Sequence, residues 1–156
     1  MGILTDQMQR VVRAQRLGYT ATVCPDGTPN LSPKGAFHVW DDEHLVFADI
    51  RSPGTIRNLR QNPAIEINVV DPFARKGYRF KGTGTVHGQD DPRFAELEGF
   101  FRERGTTSPI RAIVLVRVTR ALPVTSPAYD TGAAEEELRA RWSSYYAAQQ
   151  SGGSPD

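Results

Sequence analysis

Apolar and polar residues alternate with a period of two along much of this chain, which is the pattern of half-buried β-strands. Short polar turns such as residues 25–29 separate most of these segments, so neighbouring strands are expected to run antiparallel. The pattern predicts six strands, at residues 19–24, 30–40, 44–49, 65–69, 78–87 and 110–119. The last is almost continuously apolar, so we expect it at the centre of the sheet, covered on both faces.

Four segments change from this alternation to helical spacing. Thr5 can cap the first, a short lid helix that we expect to end at Gly18. The last carries an aromatic stripe of Trp142, Tyr145 and Tyr146. The predicted helices cover residues 5–16, 51–61, 91–101 and the segment from 135 onward. Strands joined by short turns favour an antiparallel barrel over a parallel sheet, and the predicted fold class is β-rich α+β.

The composition fits one globular domain. The chain has 156 residues, 38% of them hydrophobic, and a mean hydropathy of −0.46. We predict a single domain over residues 1–150 and a disordered tail over 151–156. No run approaches the roughly 18 apolar residues of a membrane span. The first residues lack the pattern of a secretory signal, so a cytoplasmic protein is expected.

Charge and motifs argue against several classes of function. Lys and Arg number 19 and Asp and Glu 18, so a net charge of +1 gives no global field for nucleic acid. Cys24 is the single cysteine, and the three histidines lack metal-like spacing, so we predict no metal. Neither a Gly-x-Ser-x-Gly elbow nor a phosphate loop is present. The sequence identifies no catalytic acid or base.

The junction after the third predicted strand is the strongest candidate for chemistry. Ser52, Pro53, Gly54 and Thr55 open a helix, and arginines lie on both sides of this start. The first amides of a helix lack internal partners, so the Ser52 and Thr55 hydroxyls beside them would complete a phosphate cradle. The residues alone favour the alternative, an ordinary Ser52 N-cap followed by Pro53 in the first turn.

Two other segments carry candidate ligand contacts. Pro33 and Gly35 interrupt the second predicted strand, which indicates a bulge or a ligand against the backbone; a plain edge strand with a solvated Lys34 is equally consistent. Arg79 and Lys81 share one face of the fifth strand and could bind one anion. The alternative for this pair is a solvated barrel face.

Taken together, these segments resemble the FMN-binding split-barrel family that includes pyridoxamine 5'-phosphate oxidase. The resemblance covers roughly residues 8–119 and rests on the order and spacing of five pieces. They are Asp26-Gly27-Thr28-Pro29, Ser32-Pro33-Lys34-Gly35, Leu45-Val46-Phe47-Ala48-Asp49, Thr55-x-x-Asn58-Leu59 and Asn62-Pro63-Ala64-Ile65.

The resemblance implies a six-stranded antiparallel split β-barrel with short peripheral helices, which binds flavin. The segment 31–34 would line the flavin, and 48–58 would hold its ring edge, ribityl chain and phosphate. Residues 108–111 of a second subunit would close the groove. The implied cofactor-binding residues are Ser32, Pro33, Lys34, Ala48, Asp49, Ile50, Ser52, Thr55, Asn58, Arg79 and Lys81.

The function implied is that of an FMN-dependent oxidoreductase, working as a homodimer on an unidentified small molecule. A deazaflavin-dependent reductase and a non-catalytic FMN carrier or redox sensor remain open on the same fold, and haem is bound in the wider superfamily. A third alternative is an interaction module whose arginines bind an acidic partner without any cofactor. The arginine-bearing substrate motif of true pyridoxamine phosphate oxidases is not recognisable after Thr119.

Overall fold

The computed structural model describes residues 2–152, which fold around one antiparallel sheet with the strand order β2-β1-β5-β6-β7-β4-β3. The β-rich α+β class predicted from the alternation is confirmed. The seven strands are β1 Gly18–Val23, β2 Pro29–Lys34, β3 Phe37–Val39, β4 His44–Asp49, β5 Ala64–Asp71, β6 Lys76–Gly88 and β7 Ala112–Thr125.

The two edges of this sheet are joined by only two residues, Gly35 and Ala36, because β2 and β3 are consecutive in the chain but lie at opposite ends of the strand order. Three peptide units span at most about 11 Å. The sheet must therefore curl until its edges approach each other, which gives the half-barrel shape that a split barrel requires.

The prediction of six strands is wrong by one, and the difference lies in the second predicted strand. Residues 30–40 do not form one strand: β2 pairs with β1, whereas β3 pairs with β4. The break follows Lys34, at the point where Gly35 interrupts the pattern. The glycine that suggested a bulge therefore marks the change of pairing partner.

Four α-helices surround the sheet in the part of the chain that the structure describes. Thr5 caps the first as predicted, since its Oγ1 accepts from the Met8 N–H at 3.3 Å. That helix ends at Arg16, in the left-handed region at φ 53°, and not at Gly18, which begins β1. The helices are α1 Asp6–Gln15, α2 Pro53–Gln61, α3 Phe94–Glu103 and α4 Glu135–Gln150.

Two apolar cores lie on the two faces of the sheet. The larger fills the inside of the curl, under α1 and α2, and receives Val114 and Val116 from β7. The smaller lies outside, between the sheet and α3, and receives Ile113. The prediction that this strand lies inside the sheet with both faces covered is confirmed, since β7 lies between β6 and β4; the strand runs from Ala112 to Thr125 and not over residues 110–119.

Helix α4 is held against the β5–β6 turn. The Arg75 guanidinium lies 3.4 Å from the centre of the Trp142 ring, and Arg139 pairs with Asp71 at 2.9 Å. Tyr145 at the other side of the aromatic stripe is 37% exposed. Of the predicted tail, residues 151–152 form a turn, and 153–156 lie outside the described residues. Within residues 2–152, no helix is long and apolar enough to cross a membrane.

Candidate functional site

A buried lysine at the end of β2 meets the start of α2. The Lys34 ammonium donates to three hydroxyl oxygens, Ser32 Oγ at 2.6 Å, Ser52 Oγ at 2.8 Å and Thr55 Oγ1 at 3.2 Å. All three donors of the ammonium are thereby used. The structure thus brings four of the residues predicted from the sequence into one cluster, which we call the lysine cradle: Ser32, Lys34, Ser52 and Thr55.

Ser52 holds the N-cap position of α2, with Pro53 in the first turn, but its side chain does not act as a cap. It makes no capping hydrogen bond to the described residues, because its Oγ accepts from Lys34 instead. Its N–H donates to Asp49 Oδ1 at 2.5 Å, which fixes the turn between β4 and α2. Within residues 2–152, the first amides of α2 therefore have no side-chain acceptor, as an anion site requires.

The surface in front of these amides is open. A Cβ placed on Gly54 would meet no atom of the described chain within 4 Å. Lys34 is only 4% exposed and Thr55 only 2%, whereas Ser52 is half-buried. A phosphate approaching α2 would consequently meet the helix amides and Ser52 first, with the lysine charge behind them.

Burial sets the electrostatics of the lysine cradle. Loss of hydration lowers the pKa of Lys34 below its ordinary value, and the charge of Asp49 partly opposes this shift. A buried cation with one nearby carboxylate is stabilised further by a second anion. The donor set of ammonium, hydroxyls and helix amides therefore fits a phosphate group.

Three other predicted residues lie close to the cradle in sequence, but their side chains lie outside it. Asn58, on the buried side of α2, donates from Nδ2 to Thr22 Oγ1 at 3.0 Å, and its Oδ1 has no partner among residues 2–152. The Ala48 side chain lies in the smaller core, beneath α3. Ile50 is half-buried in the turn that follows β4.

The remaining predicted residues lie on the outer face of the sheet. Pro33 is exposed there, next to Lys34 but pointing away from the cradle. Arg79 and Lys81 do share one face of β6, and both bind Glu66 of β5, at 3.0 and 3.2 Å. The two cations therefore share one carboxylate within the subunit, and they lie on the face of the sheet opposite the lysine cradle.

A basic cavity that the sequence did not reveal lies between α1, β3 and α3. It has a volume of about 410 Å³ and is lined by Arg13, Arg16, His38 and Arg104, with Trp40. Burial lowers the pKa of His38, and Arg104 and Arg16 lower it further. The four groups come from three separate elements, so only the tertiary fold brings them together.

A second basic cavity, of about 450 Å³, lies along α2 and is lined by Arg57, Arg60 and Arg111. Arg57 and Arg60 were visible in the sequence as arginines of the predicted helix. The position of Arg111 beside them depends on its N–H, which donates to the Asp49 carbonyl at 2.9 Å. Arginines from separate elements therefore line both basic cavities.

Comparisons with known proteins agree with this fold. The family model for pyridoxamine 5'-phosphate oxidase matches residues 4–125. No curated protein matches the chain. Among solved structures, HupZ of Group A Streptococcus is 27% identical, with a TM-score of 0.69 over 80% of this chain and 96% of HupZ.

Two further structural neighbours differ in the cofactor that their names state. An F420 reductase is 26% identical, with a TM-score of 0.58 over 76% of this chain and 98% of its own. An FMN-binding protein from Syntrophomonas wolfei is 17% identical, with a TM-score of 0.65 over 79% of this chain and 87% of its own, which shows the shared fold. The family match spans every strand of the sheet and the lysine cradle, and the chain belongs to the pyridoxamine 5'-phosphate oxidase family.

Proposed function

We propose that this protein binds a phosphorylated flavin at the lysine cradle and acts as a flavin-dependent oxidoreductase on a small molecule. The observation that carries the proposal is the buried Lys34 ammonium beneath the open N-terminus of α2. Such an arrangement holds a phosphate by charge, by hydroxyls and by helix amides at once.

The bound flavin would supply the transfer of a hydride or of electrons. The chain would hold the cofactor in place: Ser52 and the amides of Gly54 and Thr55 would donate to the phosphate, and Lys34 would balance its charge. Asp49 would keep the Ser52 amide and the first turn of α2 in position. Ser32 and the backbone of Pro33 would lie along the flavin on β2.

We further propose that the protein is a homodimer with the flavin in a groove between subunits. The outer face of β1 and β2 supports this, because Leu31 is 67% exposed and Tyr19 45% exposed there. Burial of large apolar side chains stabilises such an interface. Pairing through this face would bring Arg79 and Lys81 to the subunit boundary, where the flavin is proposed to lie.

A deazaflavin is the second candidate cofactor, and the F420 reductase among the neighbours favours it. A phosphate cradle holds either cofactor, because the two share the phosphate. A carrier or redox sensor would bind in the same way but would show no substrate-dependent turnover.

Titration of the purified protein with FMN and with F420, followed by absorption, tests the proposal. Saturable, stoichiometric binding of one of them is expected, and steady-state reduction assays then separate an enzyme from a carrier. A protein that binds neither cofactor would contradict the proposal and favour the interaction module.

A further inference from the structure

The basic cavity along α2 lies on the side of the helix away from Thr55. Thr55 and Arg57 are two residues apart, so they point about 200° apart around the helix axis. Arg57 and Arg60 line the cavity from α2, and Arg111 lines it from the segment before β7. We call this cavity the arginine groove; Asp49 and Pro53 also border it.

The three arginines of this groove are exposed. None of the three guanidinium groups lies within 4.0 Å of a carboxylate oxygen in residues 2–152. The one carboxylate in the lining, Asp49, is 4% exposed and accepts from the Ser52 N–H through Oδ1. The Asp90 carboxylate also lies near Arg60, since both would contact a Cβ placed on Gly88. Three guanidiniums against two carboxylates still leave the groove positive, and guanidinium groups bind phosphates and carboxylates in pairs of hydrogen bonds.

The groove and the lysine cradle meet at the first turn of α2. Asp49 accepts from the Ser52 amide of the cradle and lines the groove, and Pro53 of the groove directly follows Ser52. A helix rises 1.5 Å per residue, so Arg57 and Arg60 lie about 6 and about 10 Å along the axis from Pro53. These are distances that the next charged groups of a phosphorylated ligand can span.

We propose that the arginine groove binds a second anionic group of the same cofactor, one that extends beyond the phosphate held at the start of α2. This inference rests on the proposed function. FMN ends at its single phosphate, whereas a flavin dinucleotide carries a second phosphate and the tail of F420 carries carboxylates. The groove therefore selects a cofactor with a charged extension over FMN itself.

The test compares the affinities of FMN, FAD and F420 for the wild-type protein and for the double variant Arg57→Gln/Arg60→Gln. The wild type should bind FAD or F420 at least tenfold more tightly than FMN, and the double variant should lose that preference while its FMN affinity stays within about twofold. The extended cofactor that is preferred identifies the second group as phosphate or carboxylate.

The matched control is Arg10→Gln/Arg93→Gln, which removes the same charge from exposed positions on α1 and before α3 and should keep the preference. If the double variant unfolds, Arg111→Gln tests the groove independently, because Arg111 lines it from outside α2. Equal affinities for all three cofactors, unchanged in the variants, would contradict the proposal that the groove binds a second anionic group and would leave the proposed function unaffected. A wild type that binds none of the three would overturn both.

Discussion

At the residue scale, Lys34 is the centre of the site, because its ammonium is buried and donates hydrogen bonds to three hydroxyl oxygens. The sequence left a solvated Lys34 and a ligand contact equally open. Its partners Ser52 and Thr55 lie 18 and 21 residues away, so no local pattern could decide between them. The sequence also favoured Ser52 as an ordinary N-cap. In the structure its hydroxyl accepts from Lys34 instead, a contact that no local pattern could predict.

The lowered pKa of Lys34 predicts a pH dependence of stability without ligand. Between the lowered pKa and the ordinary value of 10.5, the unfolded chain binds more protons at Lys34 than the folded chain does. The contribution of Lys34 to the free energy of unfolding therefore rises with pH across that window. Urea denaturation from pH 8 to 10.5 should show that the difference in stability between wild type and Lys34→Met increases in favour of the wild type. A difference that does not change with pH would contradict the buried charge.

At the scale of elements, the positions of α2, β4 and β5 follow the sequence closely, because turns and helix breakers bound them on both sides. The prediction of one strand over residues 30–40 was wrong because periodicity does not specify which strand a segment pairs with. Its two halves keep extended backbone but pair at opposite edges of the sheet. Asn58 has a contact that periodicity also does not specify, since its side chain joins α2 to Thr22 of β1; its contact with a cofactor stays a prediction.

Asn58→Ala should therefore lower stability more than it lowers flavin affinity. Removal of the amide leaves Thr22 Oγ1 without its buried donor, at a cost of about 1 to 3 kcal/mol. Chemical denaturation of Asn58→Ala, Thr22→Val and the double variant measures the coupling between them. Additive losses would contradict the coupling between Asn58 and Thr22, and a loss of flavin binding in a fully stable Asn58→Ala protein would favour direct contact with the cofactor.

Helix α4 lies beyond the residues that the family model matches, and it depends on a few contacts with the β5–β6 turn. Trp142→Ala removes the ring on which Arg75 stacks, so α4 should exchange its amide hydrogens faster while the sheet stays protected. Hydrogen exchange followed by mass spectrometry measures both regions, with Ser144→Ala at an exposed position of α4 as the control. Unchanged protection of α4 would show that other contacts hold it.

At the scale of the whole molecule, the curled sheet has an apolar inside, a covered outside under α3 and an uncovered outside on β1 and β2. The fold class and the family could be predicted from sequence, because each depends on local patterns in a fixed order. The two basic cavities could not, because each collects arginines from separate elements.

The uncovered outer face predicts a dimer that an introduced charge disrupts. Leu31→Asp should shift the protein to a monomer in sedimentation velocity and weaken flavin binding, because a charge would be buried in the interface. Leu17→Asp, at another exposed apolar residue outside β1 and β2, serves as the control. A wild-type protein that is monomeric at high concentration would contradict the proposed assembly.

The central claim, that the lysine cradle binds the phosphate of a flavin, is tested most directly by comparing FMN with riboflavin, which lacks only the phosphate. Fluorescence titration of the wild type should show FMN binding at least tenfold more tightly than riboflavin, and Lys34→Met should lose most of that difference. Lys76→Met, at the start of β6, should keep it. Equal affinity of the wild type for FMN and riboflavin would contradict the account.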